Sequence, residues 1–101
     1  MIGTARDSAM LRLTLAKALA ERGEMKADAL DEAQAHLEAA IAMDNSYTAA
    51  WKELGKVHLL SENHNGAVRA WTKGIEIARN NGDKQAEKEM AVFLKRLQRN
   101  P

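Results

Sequence analysis

An all-α fold is predicted: antiparallel helical hairpins with about five helices. Three observations predict it. Ala, Leu, Glu, Lys, Arg and Gln, the strong helix formers, dominate the 101 residues. β-branched residues are scarce, and the only proline is Pro101, so no proline interrupts a helix. Apolar residues recur at three- and four-residue spacing, and no useful length alternates with period two. Hydrophobic residues make up 46% of the chain but aromatics only 4%, so the core must consist mainly of Ala and Leu. Small side chains let helices approach closely, which suits helix-on-helix packing. The length fits one domain, residues 1–101.

The first helix is expected from about Ala5 to Arg22, with Thr4 as N-cap and Asp7 near the positive end of the helix dipole. Leu11, Leu15, Ala18, Leu19 and Arg22 form its stripe, and Gly23 is a natural stop. The second covers about Leu30 to Met43, capped by Asp28, with Ala33, Leu37, Ala40 and Ile41 facing inward. "DNSYT" closes it with turn-forming residues. The third covers about Tyr47 to Ser61, capped by Ser46. "SENHNG" then reads as a tight turn into a fourth helix, about Gly66 to Asn80, ended by "RNNGD". The fifth covers about Lys84 to Arg99, with Ala86, Met90, Phe93, Leu94 and Leu97 as its stripe. Short loops make neighbouring helices antiparallel.

Composition also excludes some chemistry. The chain has no cysteine, which removes disulfides, thiol catalysis and Cys-based zinc sites, and fits a reducing, cytoplasmic setting. Arg6, Asp7 and Arg12 break up the N-terminal apolar residues, so neither a signal peptide nor a membrane span is expected. Net charge is +1 but uneven. Residues 1–46 carry five basic and eight acidic side chains, and residues 66–101 carry eight and four. His36, His58 and His64 lack the spacing of a metal motif. The neighbouring carboxylates Asp31 with Glu32 and Glu87 with Glu89 have no nucleophile beside them, so neither enzyme activity nor a cofactor is expected.

The stretch "YTAAWKELGKVHLL" sets Trp51, Leu54, Gly55 and His58 at fixed intervals, and Ala67, Trp71 and Gly74 follow in the next helix. This pattern resembles one tetratricopeptide (TPR) repeat, a helix–turn–helix unit of about 34 residues. Trp51, Leu54, Gly55 and Ala67 match the family pattern directly. His58 stands in place of its Tyr, Trp71 of its Phe, Gly74 of its second Ala and Arg79 of its Pro. Upstream, Leu15, Ala16, Leu19, Ala33, Leu37 and Ala40 resemble a poorer repeat. Gly23 and Ala33 lie ten positions apart, and the excess is read as an insertion near 25–29 that lengthens the turn or the second helix. The resemblance implies an α-solenoid of antiparallel helical hairpins and divides the chain into repeat 1 at about 9–46, repeat 2 at about 47–81 and a capping helix at about 83–99.

The resemblance implies a non-catalytic module that binds a partner peptide or helix in a concave groove, in an adaptor or assembly role. Carried over by phase, Leu13, Lys17 and Ala20 would line the groove from the first helix, and Ala49, Lys52, Lys56 and Leu59 from the third. The three lysines would favour a partner with acidic and apolar residues. One subset of the family clamps chaperone C-terminal carboxylates, but Lys17 and Glu53 occupy the positions that need Asn, and Asp83 and Glu87 those that need cations, so no such chaperone partner is expected. His58 is expected to be buried in the Tyr position and paired with Glu62. Two other readings are open. Trp71, Phe93 and the cap face could mediate self-association, making a monomer or weak homodimer. The basic end "KRLQRN" could touch RNA or an acidic partner, although no aromatic residue interleaves with it for stacking.

Overall fold

In the computed structural model, residues 8–23 and 27–99 are described. They form α1 (Ala9–Gly23), α2 (Ala27–Met43), α3 (Thr48–Leu60), α4 (His64–Asn81) and α5 (Lys84–Arg99). Consecutive helices pack on one another, and α1 and α5 also touch α3. The described residues contain no strand.

Ser8 opens α1: its Oγ accepts a hydrogen bond from the Leu11 N–H at 3.1 Å. Thr4, Ala5 and Asp7, the expected start, lie outside the described residues, as does the side chain of Arg22. The stripe assigned to α1 needs correction. Leu11 and Leu15 are 40% and 41% exposed, and Ala18 is exposed too. Leu13 and Ala16 are the buried residues, supported by half-buried Ala9, Leu19 and Ala20. The reason is positional. The side of α1 that meets α2 and α3 buries one set of residues, and among the described residues no helix packs on the side carrying Leu11 and Leu15.

The second helix begins at Ala27, ahead of the expected Leu30, so Asp28 sits inside its first turn and does not cap it. There its carboxylate meets the positive end of the dipole. Met25 and Lys26 of the expected insertion lie outside the described residues, and Ala27 to Ala29 are helical. Leu30, Ala33, Leu37 and Ala40 are buried.

Ser46 does not cap α3. Its N–H and Oγ both donate to Asp44 Oδ1, at 3.1 and 2.7 Å, which tightens the turn after α2. Tyr47 holds the N-cap position without a side-chain bond. The junction is tied from outside instead: Thr48 Oγ1 donates to Asp83 Oδ2 at 2.9 Å, and Asn81 Nδ2 donates to the Ser46 carbonyl at 2.7 Å.

The next turn is shorter than expected, and α4 starts at His64. Asn63 caps it by accepting the Gly66 N–H at 3.0 Å. Glu62 takes the left-handed conformation at φ 61°, so it forms the turn. Gly82, at φ 75°, ends α4, where a residue without Cβ takes the left-handed backbone at no steric cost. Asp83 then caps α5 by accepting the Ala86 N–H at 3.1 Å.

Two cores result. One joins Leu13, Ala16, Leu30, Ala33, Leu37, Ala40, Ala50, Leu54, Val57 and Ala70. The other joins Ala67, Trp71, Ala78, Ala86 and Met90, with Trp51, Ile75, Phe93 and Leu97 packed against it.

Candidate interaction groove

Repeat packing sets the frame of the site. Trp71 is 2% exposed and donates its indole N–H to the Lys52 carbonyl at 3.0 Å. Its ring lies 5.4 Å from that of Phe93, tilted by 44°. Gly55 backs onto this indole, and a Cβ built there would meet its Nε1 far closer than van der Waals contact allows. Gly74 gives α4 the same close approach to Met90 and Trp51. Trp51 is half-buried and donates its N–H to the Asn45 carbonyl at 2.8 Å. Among the other pattern residues, Ala33, Leu37, Ala40 and Ala67 are fully buried, and Leu54 and His58 are nearly so. Leu15 is the exception, because its side of α1 faces outward.

The side chains assigned to a groove separate into three kinds. Leu13 is a correction: at 8% exposure it belongs to the core, because α1 meets α3 where it points. Ala20 and Ala49 are half-buried and pack on the same core. Lys17 and Leu59 are exposed. Ala49 and Lys52 help line a cavity of about 260 Å³ between α3 and α5. Leu59 joins Trp71, Phe93 and Leu97 in an apolar pocket of about 320 Å³, rimmed by His64 and Arg96.

The expected basic strip is not bare. Lys52 Nζ lies 2.9 Å from Glu89 Oε1, and Lys56 Nζ lies 3.4 Å from Glu53 Oε2 and 5.4 Å from the centre of the Phe93 ring. α5 brings Glu89 across, and α3 carries its own Glu53 one turn before Lys56. The wall is therefore charge-balanced along α3. The Lys52 hydrogen bond holds the Glu89 carboxyl below its ordinary value, and the Ala86 N–H and Thr48 hydroxyl do the same for Asp83.

His58 is buried as expected, but its partner is Asn63, not Glu62. The Asn63 oxygen is occupied by the Gly66 N–H, so its NH₂ points to His58 Nδ1, 3.3 Å away. That nitrogen must then be the acceptor of a neutral ring. Burial lowers the pKa of His58 below 6.5, with Arg69 lowering it further and Glu38 opposing. The fold thus favours the neutral ring. Its contribution to stability is complete above 6.5 and is lost as pH falls from there through the lower folded value. Urea unfolding of the wild type should show falling stability over that window, and His58→Tyr, which does not titrate there, should flatten the slope. Equal slopes for the two chains would contradict this assignment. Asp83 and Glu89 add a loss of the same sign at lower pH, as they titrate below their ordinary values of 3.8 and 4.5.

Among the described residues no three His, Cys, Asp or Glu side chains gather to hold a metal ion, and no helix is long and apolar enough to cross a membrane. His36 instead accepts from Arg12 Nη1 at 2.8 Å, a guanidinium having only donors. Stacked hairpins and a bulky indole seated on glycine define a helical repeat protein.

Comparison with known proteins agrees. No family model matches the chain. It is 39% identical over 99 residues to the TPR repeat-containing protein PA0015 of Pseudomonas aeruginosa, a match covering 98% of this chain and 90% of that protein. It is also similar to the solution structure of protein BPP2914 from Bordetella parapertussis, with a TM-score of 0.81 and 40% identity over 98% of this chain and 82% of that one. The chain belongs to the TPR family. Membership implies a protein–protein interaction module, and the family is generally non-catalytic.

Proposed function

We propose that this protein is a non-catalytic adaptor that docks a partner peptide along the face formed by α1, α3 and α5, through Lys17, Ala20, Ala49, Lys52, Lys56 and Leu59. The observation that carries this reading is the apolar pocket beside Leu59, which is 38% exposed next to buried Trp71 and half-buried Phe93 and Leu97. A large apolar side chain of a partner would fill it, and burial of that side chain supplies the affinity. Lys52 and Lys56 already have carboxylate partners on this protein, so acidic partner residues would compete with Glu89 and Glu53. Lys17 is exposed on a different helix, α1. One acidic residue toward the α1 end therefore suits the face better than an acidic run. The groove is preformed by helices, which limits the ordering cost on this side of the complex.

Selection of a random peptide library on the full chain tests this. Enriched peptides should share one large apolar residue. Leu59→Glu should weaken their binding by about tenfold or more, because it puts a charge at the pocket. Lys52→Ala with Lys56→Ala should have a smaller effect. Absence of any enriched peptide, or equal binding by Leu59→Glu, would overturn the reading.

A further inference from the structure

The turn between α3 and α4 is closed by one asparagine that serves two partners. Asn63 Oδ1 accepts the Gly66 N–H at 3.0 Å, which caps α4. Its amide nitrogen then faces His58 Nδ1 at 3.3 Å. The cap fixes this orientation of the amide, because only its oxygen can accept from Gly66. With Nδ1 accepting, the neutral ring carries its proton on Nε2. The backbone adds a third link, as the Asn63 N–H donates to the His58 carbonyl at 2.8 Å. Between these residues Glu62 holds the left-handed conformation at φ 61°, which a residue with a Cβ adopts at a cost. The bonds around the turn offset that cost.

His58 is pressed against the start of α4. A Cβ built on Gly66 would lie 2.8 Å from the ring Cγ and Nδ1 and 2.7 Å from Asn63 Nδ2. Glycine at this position lets the imidazole reach the first turn of the helix. That turn is the positive end of the α4 dipole, an unfavourable place for a cation. Charged groups act on the ring from the helices on either side of α3. Glu38 on α2 favours the imidazolium, and Arg69 on α4 opposes it. Lys73 of α4 lines the same open cavity of about 450 Å³, together with Gln34, Glu38 and Arg69. His58 also lines this cavity, so water can carry a proton to a ring that is otherwise buried.

We infer that His58, Asn63 and Gly66 form a proton-operated latch on α4: the neutral ring holds the cap closed, and protonation of the ring releases it. An imidazolium has an N–H at both nitrogens, so Nδ1 would meet the Asn63 NH₂ donor against donor. The charged donor forms the stronger hydrogen bond and therefore claims the amide oxygen. Asn63 turns over to accept from it, and the Gly66 N–H is left facing an NH₂ group. α4 loses its N-cap, and the turn at Glu62 loses part of its support. His64 follows Asn63 directly and borders the Leu59 pocket, so the released segment belongs to the rim of that pocket. The latch itself stands whether or not the pocket binds peptides.

Nuclear magnetic resonance of the full chain from about pH 8 to about pH 5 tests the inference. The Gly66 amide signal should shift with the same midpoint as the His58 ring protons. Its hydrogen-exchange protection, corrected for the intrinsic rate at each pH, should fall by about fivefold across that midpoint, the usual worth of an N-cap. His58→Asn sets a non-titrating acceptor where Nδ1 stands and should abolish both changes. Asn63→Asp supplies a carboxylate that can accept from Gly66 and from the imidazolium together. It should raise the ring midpoint by about one pH unit or more and keep Gly66 protected in acid. A general loosening of the fold by acid would instead affect Asn63→Asp as it does the wild type. A Gly66 signal that ignores the ring midpoint would overturn the inference. So would an unchanged ring midpoint in Asn63→Asp, or a Gly66 transition that persists in His58→Asn.

Discussion

Trp71→Ala should lower stability by about 3–5 kcal/mol. Trp71 is the largest fully buried side chain among the described residues, and it joins three helices. It sits on α4, bonds the α3 backbone at Lys52 and faces Phe93 of α5. Truncation removes the transfer energy of the ring and leaves a cavity whose walls, Gly55 and Met90 among them, are fixed by their own helices. A domain of this size is stable by about 5–15 kcal/mol, so such a loss consumes a large share of the total. Urea unfolding followed by circular dichroism measures it, and Trp51 remains as a fluorescent reporter. A loss under about 1 kcal/mol would mean that the indole is not the joint between the repeats.

Gly55→Ala should destabilise the protein by about 2 kcal/mol, against the usual direction for a helix interior. Alanine ordinarily gains about 1 kcal/mol over glycine there. At Gly55, however, the added methyl would clash with the indole of Trp71, which is buried and held by its hydrogen bond to the Lys52 carbonyl. Overpacking of this kind costs about 1–3 kcal/mol or more and outweighs the propensity gain. The two substitutions are coupled. When both are made, the methyl added at Gly55 enters space vacated by the indole, so the combined loss should be smaller than the sum of the single losses. Strict additivity would show that the two residues do not share a packing site.

The same pair explains how much of the fold is legible in the sequence. Trp51, Leu54, Gly55, Ala67 and Trp71 carry a spacing that only facing helices satisfy, and the structure brings Gly55 onto Trp71. Helix class and order can likewise be read from apolar periodicity. Boundaries are harder where several residues can cap. Ser46 has the chemistry of a cap for α3 but binds Asp44, and Asn63 rather than Gly66 marks the entry to α4. The stripe of α1 is misleading because Leu11 and Leu15 are apolar at helical spacing, whereas burial depends on which neighbour is present. The candidate groove is less legible still. Phase places Lys52 and Lys56 on one face, but nothing local to them signals that Glu89 reaches Lys52 from a helix more than thirty residues on. Pairing across the stack is a tertiary property, and so is the Leu59 pocket, whose walls come from three helices.

The sequential contacts of the helices, with α3 touching all four others, also bear on how the chain acquires its shape. No element must wait for a remote partner, so little loop-closure entropy opposes assembly, and docking can follow the order of synthesis. α1 packs chiefly on α2, so these two helices can part from the rest as one hairpin, and loosening α3 separates that hairpin from the pair formed by α4 and α5.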